Sequence, residues 1–175
     1  MEDIKASIRK SYKPLISSGL KQWAIELMDE RNDVIWQEFR RLHLQVSGRV
    51  TRSDETWENQ HRSIETGNEI LIYLRNSDNR MVGGGLFNLT KDEGSYSVGV
   101  YDRSLFDKPL GHVVQFKAIE EMKNRGLRWY SIGKRFYRTD TPIPTQKEIS
   151  ISEFKHGFAT HLFPKYCLIC ETKNE

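Results

Sequence analysis

The sequence predicts an α+β fold in which a central mixed, mostly antiparallel sheet is flanked by helices. The main observation is residues 95–133, where an alternating strand pattern is followed by a polar loop, an apolar helical stripe and a second short strand pattern. Strand, helix and strand in so short a stretch form a βαβ unit, whose two strands are parallel. The strand patterns over residues 70–74 and 81–89 and the one that begins at residue 95 are joined by short turns, which are typical of antiparallel neighbours.

The N-terminal part of the chain is predicted to hold an arm and one strand. Residues 1–20 are basic and contain several helix breakers, so we interpret them as an N-terminal arm or linker. We place a single α+β domain at residues 21–175. Residues 21–28 fit either an alternating strand or a helix, and we predict the strand.

Two helices are predicted next, because apolar residues recur at helical spacing. The stripe over residues 35–46 ends at Gly48, a residue that favours the left-handed conformation found just after helices. Ser53 or Asp54 caps a second helix that continues to about residue 66.

Three strand patterns lead into the βαβ unit. Residues 70–74 and 81–89 are apolar runs separated by turn residues, and residues 95–101 alternate in polarity. Glycines at 83–85 interrupt the second run, which predicts a bulge or a close approach of the backbone to a neighbouring element.

The C-terminal part is predicted to complete the sheet. The helical stripe covers residues 113–122, a strand follows over 129–132, and residues 134–146 form a polar loop with two prolines. A short helix over 149–156 and a closing strand over 166–171 end the chain.

The composition excludes several classes of protein. The chain has 175 residues, of which 29% are charged and 37% apolar, and this suits one domain with a core. No apolar run approaches the roughly 20 residues that span a membrane. The first residues carry acids and lack the apolar core of a signal peptide, which favours a cytoplasmic protein. Cys167 and Cys170 agree with a reducing compartment, and one C-x-x-C pair alone predicts core packing and no metal site.

The positive charge is concentrated in one part of the chain. Residues 102–155 contain eleven Lys and Arg against seven Asp and Glu, while the whole chain has a net charge of +3. This excess fits a solvated face, and it also fits an anionic ligand such as a phosphate-rich cofactor, a nucleotide or the end of an RNA.

Three motifs carry a resemblance to a known family. They are Gly48-Arg49-Val50-Thr51-Arg52 with Thr56-Trp57, the stretch 96–112 around Tyr101-Asp102-Arg103, and the stretch 147–158 with its core Phe154-Lys155-x-Gly157-Phe158. In this order they resemble the FemAB-like (Fem-type) transferases of the GNAT-fold superfamily, over most of the chain. The resemblance implies a single GNAT-like domain that moves an acyl or aminoacyl group from acyl-CoA or aminoacyl-tRNA to an amine. It also implies an acceptor such as a sugar nucleotide or a precursor in bacterial-type cell-envelope biosynthesis.

The loop before the central helix departs from the GNAT pattern. Typical members place several glycines there, and their backbone N–H groups hold the CoA pyrophosphate. Here residues 107–112 contain one glycine and Pro109, which offers no N–H. The hypothesis of a Fem-type transferase therefore has two alternatives. One is an acetyl-CoA-dependent N-acetyltransferase with a degenerate loop, and the other is a non-catalytic module that binds RNA or a nucleotide.

Four residues are candidates for catalysis. The resemblance implies that Lys155 stabilises the charge that develops during acyl transfer, which is the role of an oxyanion donor. Asp102, His112 and Glu148 are candidates for the general base that takes a proton from the amine. Each also has an ordinary alternative role. Asp102 fits a surface ion pair, His112 fits a histidine near a helix start, and Glu148 fits an acid favoured by the helix dipole.

Five residues are candidates for binding the donor. Lys108 and Gly111 lie in the loop before the central helix, and Arg103, Lys134 and Lys147 are cations that could converge on a phosphate. The aromatic residues among these cations suit either base stacking or core packing: Tyr96, Tyr101, Trp129, Tyr130, Phe136 and Tyr137.

Overall fold

A five-stranded sheet runs through the part of the chain that the computed structural model describes, residues 6–166. The strands lie side by side in chain order: β1 (Ala24–Met28), β2 (Glu69–Arg75), β3 (Met81–Leu89), β4 (Glu93–Tyr101) and β5 (Trp129–Ser131). The helices in this part of the chain are α1 (Tyr12–Gln22), α2 (Asp33–Ser47), α3 (Asp54–Glu65), α4 (Leu110–Asn124) and α5 (Gln146–His156).

The pairing of the strands confirms the predicted fold class. The first four strands pair antiparallel, and β5 pairs parallel to β4. Short turns join β2 to β3 and β3 to β4, whereas α2 and α3 lie between β1 and β2 in the chain. Since α4 lies between β4 and β5 in the chain, the predicted βαβ unit is confirmed as well. The sheet is therefore mixed and mostly antiparallel, within a single α+β domain.

Helices α2 and α3 cover one face of the sheet, and local capping explains where they begin. The Asn32 side chain accepts a hydrogen bond from the Ile35 N–H at 3.1 Å, and Ser53 caps α3 in the same way. Gly48 follows α2 with a φ of 69°, as its position predicts. The core under this face consists of aromatic and aliphatic side chains, among them Trp36, Phe39, Leu42, Trp57 and Ile64.

Helices α1 and α4 cover the opposite face. Val113, Val114, Ala118 and Met122 of α4 pack on apolar side chains of β2 and β3. A third cluster lies outside this layer, where Ile8, Tyr12 and Ile16 meet Phe116 of α4 and Phe158, which follows α5. Helix α1 crosses the predicted boundary at residue 21, so from Tyr12 onward the segment interpreted as an arm is a packed helix of the domain.

The ladder between β4 and β5 is short, and a β-bulge in β4 follows its last pair. Only Glu93, Gly94 and Ser95 of β4 have partners in β5 among the described residues. Leu86 pairs with Val98 and Phe87 with Tyr96, so Ser97 is the extra residue of a β-bulge. A bulge bends its strand and increases the local twist, which turns the rest of β4 away from β5.

The remaining predictions for the C-terminal part have different outcomes. Residues 132–145 contain no helix or strand, which confirms the loop, and α5 confirms the short helix after it. Most of the predicted closing strand over 166–171 lies outside the described residues, as do Cys167 and Cys170. In the range 6–166, no helix is long and apolar enough to span a membrane, and no group of three His, Cys, Asp or Glu side chains is placed to hold a metal ion.

A buried carboxyl group at the start of β2 makes the stability of the fold depend on pH. Glu69 is only 7% exposed, and burial raises the pKa of its carboxyl group from 4.5 to about 7. A raised pKa in the folded state means that the stabilising contribution is present below pH 4.5 and is lost as the pH rises through 7.

We therefore expect Glu69→Gln to raise the free energy of unfolding by about 1–3 kcal/mol at pH 8, and by less at pH 5. Urea denaturation at the two pH values measures this difference. Glu30→Gln, at an exposed position, is the control and should change stability little at either pH. An equal effect of Glu69→Gln at both pH values would contradict the prediction.

Candidate functional site

The sheet opens between β4 and β5, and the opening is the site where polar side chains from several elements meet. Pairing stops at Ser95 and Ser131, although β4 continues to Tyr101. Side chains from α4 and α5 reach into the space between the two strands. We call this space the β4/β5 gap.

Three tyrosines and one glutamine line the β4/β5 gap. Tyr96 and Tyr101 come from β4, Tyr130 from β5 and the fully buried Gln115 from α4. The Tyr130 hydroxyl donates to Gln115 Oε1 at 2.5 Å, and the hydroxyl oxygens of Tyr96 and Tyr101 are 3.3 Å apart. Burial raises the pKa of all three phenols, so they stay protonated and can donate hydrogen bonds at neutral pH.

Lys155 brings a positive charge to this group of hydroxyls. It lies in the last turn of α5, and its Nζ is 5.0 Å from the centre of the Tyr96 ring, a cation–π distance. The same Nζ lies close to Gly133, where a Cβ would be 3.0 Å away. Burial lowers the pKa of Lys155, and no carboxylate within residues 6–166 contributes to this shift. The ammonium is thus half-buried beside an aromatic face and without a counter-ion there.

His112 lies in the first turn of α4 among aromatic rings. Its ring centre is 4.6 Å from that of Tyr12 and 5.1 Å from that of Phe154, both edge to face. Burial lowers its pKa, which favours the neutral imidazole. These contacts give the ring a packing role, and its assignment as a general base stays a prediction.

Asp102 and Glu148 both act as caps. Asp102 accepts hydrogen bonds from the Ser104 N–H at 3.0 Å and the Ser104 hydroxyl at 2.7 Å, and these bonds lower its pKa. Glu148 completes a capping box with Thr145 at the start of α5, and that contact lowers its pKa. Helix α5 holds both Glu148 and Lys155. Glu148 lies at a helix start, which is the ordinary alternative named for it, and Asp102 lies 3.6 Å from Arg80, an ion pair of the kind named for it. The assignment of either acid as the general base stays a prediction.

The five predicted donor-binding residues lie mostly at the surface. Lys108 pairs with its neighbour Asp107 at 3.0 Å, and Lys134 lies 3.8 Å from Asp140 and above the Phe136 ring. The other two cations, Arg103 and Lys147, are exposed. Gly111 is covered by the Phe154 ring, since a Cβ there would be 3.1 Å from Phe154 Cζ. Convergence of the cations on one phosphate therefore stays a prediction.

Sequence reasoning missed Gln115 and the role of Gly99. Gln115 stands between Val114 and Phe116 in a helix segment where all three side chains are buried. An amide within an apolar run was the available signal. Gly99 offered no signal from the sequence, because its importance depends on where the Tyr96 side chain lies.

Gly99 makes room for Tyr96 at the edge of β4. A Cβ at Gly99 would lie 1.7 Å from the Tyr96 hydroxyl oxygen, so the ring can rest there only while residue 99 has no side chain. We expect Gly99→Ala to displace the ring and to destabilise the protein by about 1–3 kcal/mol, as overpacking commonly does.

A double-mutant cycle tests this contact. In the Tyr96→Ala background the nearest of the remaining contacts of the added methyl group is Tyr101 Cε2 at 3.4 Å, and Gly99→Ala should then cost much less. The measurement is the free energy of unfolding of the four proteins. If Gly99→Ala costs the same in both backgrounds, the close approach of Tyr96 to residue 99 is contradicted.

Comparisons with known proteins identify the fold. No family model matches the chain, and no curated protein is significantly similar to it in sequence. Among solved structures, an aminoglycoside acetyltransferase from an uncultured soil metagenomic sample, in complex with sisomicin, has a TM-score of 0.63 at 11% identity and covers 86% of this chain and 98% of its own.

Two further structures agree with this one. AAC(6')-Iy in complex with the bisubstrate analogue CoA-S-monomethyl-acetylneamine has a TM-score of 0.59 at 11% identity, covering 85% of this chain and 99% of its own. The ribosomal-protein-alanine N-acetyltransferase of Brucella melitensis biovar Abortus 2308 has a TM-score of 0.58 at 13% identity, covering 85% and 99%. None of these three is a FemAB-like protein by name. The chain therefore has the fold of the GNAT acetyltransferases.

Proposed function

We propose that this protein is an N-acyltransferase that holds an acyl thioester in the β4/β5 gap and transfers its acyl group to an amine. The observation that carries the proposal is the gap itself, where the β4/β5 pairing stops and Lys155 lies beside a group of protonated tyrosine side chains. The names of the structural neighbours add support, since all three are acetyltransferases and one was solved with a compound that contains CoA.

The free edge of β4 suits the extended arm of an acyl-CoA. From Tyr96 to Tyr101 the backbone N–H and C=O groups on the side of β5 have no ladder partner among the described residues. Extended chains with amide groups bind such edges by strand addition, because the main-chain groups of the edge are already aligned. The pantetheine arm of CoA has two amides and is extended, so it is the type of ligand that this edge accepts.

The chemistry assigns a role to Lys155. The amine nitrogen attacks the thioester carbonyl carbon, the new C–N bond forms and the carbonyl oxygen becomes negative. The C–S bond then breaks, and the net reaction moves one proton from nitrogen to sulfur. The Lys155 ammonium would stabilise the negative oxygen, and a tyrosine hydroxyl would donate to the departing sulfur. A charge that exists only in the transition state is stabilised without tightening the binding of the substrate.

The predicted bases receive less support than Lys155. Asp102 and Glu148 already accept hydrogen bonds from their caps, and His112 packs among rings. Of the four predicted catalytic residues, the proposal therefore retains only Lys155. The substrate amine is neutral when it attacks.

The Fem-type form of the proposal concerns the donor and the acceptor. Packing accounts for two residues of the Phe154–Phe158 motif, because Phe154 and Phe158 both contact Tyr12. Lys155 is the member of the motif that this packing does not explain. An aminoacyl-tRNA donor and a sugar-nucleotide or cell-envelope acceptor remain the alternative that this motif suggests. Pro109 and the covered Gly111 at the start of α4 favour a donor that needs few amide contacts for its phosphates.

Thermal shift separates the donors. We expect acetyl-CoA to raise the melting temperature in a concentration-dependent manner, because a ligand that binds only the folded state stabilises it. Aminoacyl-tRNA and a nucleotide sugar are tested in parallel. A shift with aminoacyl-tRNA and none with acetyl-CoA would support the Fem-type alternative and contradict the acyl-CoA proposal.

Lys155→Ala tests the catalytic role. With acetyl-CoA and a panel of amines, we expect kcat to fall about 10²–10³-fold, as it does when one oxyanion donor is lost, while KM changes little. Lys155→Arg should restore only part of the rate, because a planar guanidinium and a point charge differ in geometry. Release of the free CoA thiol measures turnover. Lys123→Ala, at an exposed position near the end of α4, is the control. Normal turnover in Lys155→Ala would remove Lys155 from the mechanism.

The pH dependence of kcat gives a second test. If the ammonium form of Lys155 is required, activity falls as the pH rises through its pKa, which burial places below the usual 10.5. Lys155→Arg should lose this alkaline decline, since arginine stays protonated. Because the attacking amine must itself be neutral, its deprotonation also changes the rate, and the comparison of the two proteins is the test. If the parent protein and Lys155→Arg have the same pH profile, the requirement for the Lys155 ammonium is contradicted.

A further inference from the structure

A basic pocket lies in the hairpin formed by α2 and α3, away from the β4/β5 gap. Its volume is about 560 Å³, and its walls are the C-terminal half of α2, the connecting loop and the first turn of α3. The loop is the Gly48–Arg52 motif that the sequence analysis singled out and that the proposed function does not use. Because α2 and α3 cover one face of the sheet and the tyrosines of the gap pack on the other, the two sites are separate.

Positive charge dominates this pocket. The charged residues that line it are four arginines, Arg40, Arg41, Arg49 and Arg52, and one carboxylate, Asp54. Arg40 forms an ion pair with Asp54, so the carboxylate is already engaged. Arg41, Arg49 and Arg52 have no ion pair with a carboxylate in the part of the chain that the structure describes. The pocket therefore has a net positive charge and three arginines available for an anion.

Aromatic contacts hold the arginines in position. The Arg52 guanidinium lies 5.4 Å from the centre of the buried Trp57 ring and donates to His43 Nε2 at 3.1 Å. Arg40 lies over the same indole at 5.7 Å, and the His43 ring contacts it edge to face at 5.0 Å. A side chain that is already ordered loses less rotamer freedom when it binds a ligand. Trp57 thus acts as a platform that presents guanidinium groups to the pocket.

We propose that this pocket binds a phosphate group of a small molecule. Guanidinium groups match the oxygens of a phosphate with paired hydrogen bonds, and a dianion suits a site with more than one free arginine. The pocket is concave and lies between the helices of a hairpin, which favours a small phosphate compound over the extended backbone of an RNA. Its charge also disfavours a polycationic ligand.

Binding of inorganic pyrophosphate and of glucose 6-phosphate tests the proposal. In calorimetric titrations of the full chain at low salt, we expect both compounds to bind and glucose to show no binding, since only the phosphate differs between the two sugars. Affinity should decrease as salt rises, because the ionic contacts are screened. No binding of either phosphate compound would overturn the proposal.

Matched arginine variants locate the site. Arg49→Gln and Arg52→Gln should each weaken binding of pyrophosphate about tenfold or more. Arg62→Gln removes the same charge from the exposed last turn of α3, outside the pocket, and should bind like the parent protein. Arg52 also contacts His43 and Trp57, so its variant could be unstable, and Arg49→Gln at an exposed position keeps the test decisive.

Two further outcomes would contradict the proposal. If all three variants weaken binding equally, the effect is one of net charge and the pocket is not the site. If a duplex RNA binds more tightly than both phosphate compounds and loses affinity in the Arg49 and Arg52 variants, the surface is a nucleic-acid site. Because these measurements need neither an acyl donor nor turnover, their failure leaves the proposed acyl transfer untouched.

Discussion

The interruption of the ladder between β4 and β5 is the constraint on which the rest of the site depends. A strand edge inside a protein exposes aligned N–H and C=O groups, and these groups must find partners or water. Here the extra residue Ser97 turns β4 away after three pairs, and side chains from four elements line the space. Polar side chains line it because they lie next to backbone groups that an apolar wall would leave unpaired.

Two glycines also shape the β4/β5 gap, because they have no side chain. Gly99 lets the Tyr96 ring lie along the strand, and Gly133 lets the Lys155 ammonium approach the end of β5. The Tyr96 ring stacks on Phe87 with the ring centres 5.3 Å apart, and its own centre lies 5.0 Å from the Lys155 Nζ. The charge of the lysine is thus held by an aromatic face, which binds it less strongly than a carboxylate would and leaves it available to a ligand.

Local signals predicted most of the fold, and long-range packing accounts for the differences. Asn32, Ser53, Gly48 and the apolar stripes fixed the helices because caps and periodicity act within a few residues. Helix α1 was missed because its Ser and Gly residues oppose a helix locally, whereas Gly19 is needed for contact with Val113 of α4. Lys155 was found through its motif, but its neighbours Tyr96 and Gln115 come from distant parts of the chain, and no spacing rule relates them. The sequence offered an ion pair for Asp102 and a helix start for Glu148 beside catalysis, and the cap hydrogen bonds of both acids depend on side-chain geometry that the sequence does not give.

Contact between the two ends of the described chain has a consequence for how the protein is made. The Arg9 N–H donates to the Gly157 carbonyl at 2.9 Å, and the Tyr12 hydroxyl donates to the Phe154 carbonyl at 3.2 Å. The segments that contain α1 and α5 therefore stabilise each other, although they are far apart in sequence. During synthesis the sheet and four helices leave the ribosome before α5 does. Until then Tyr12 lacks its aromatic partners Phe154 and Phe158, and the β4/β5 gap lacks its lysine. The nascent domain can therefore bury most of its core while its candidate catalytic charge is still missing.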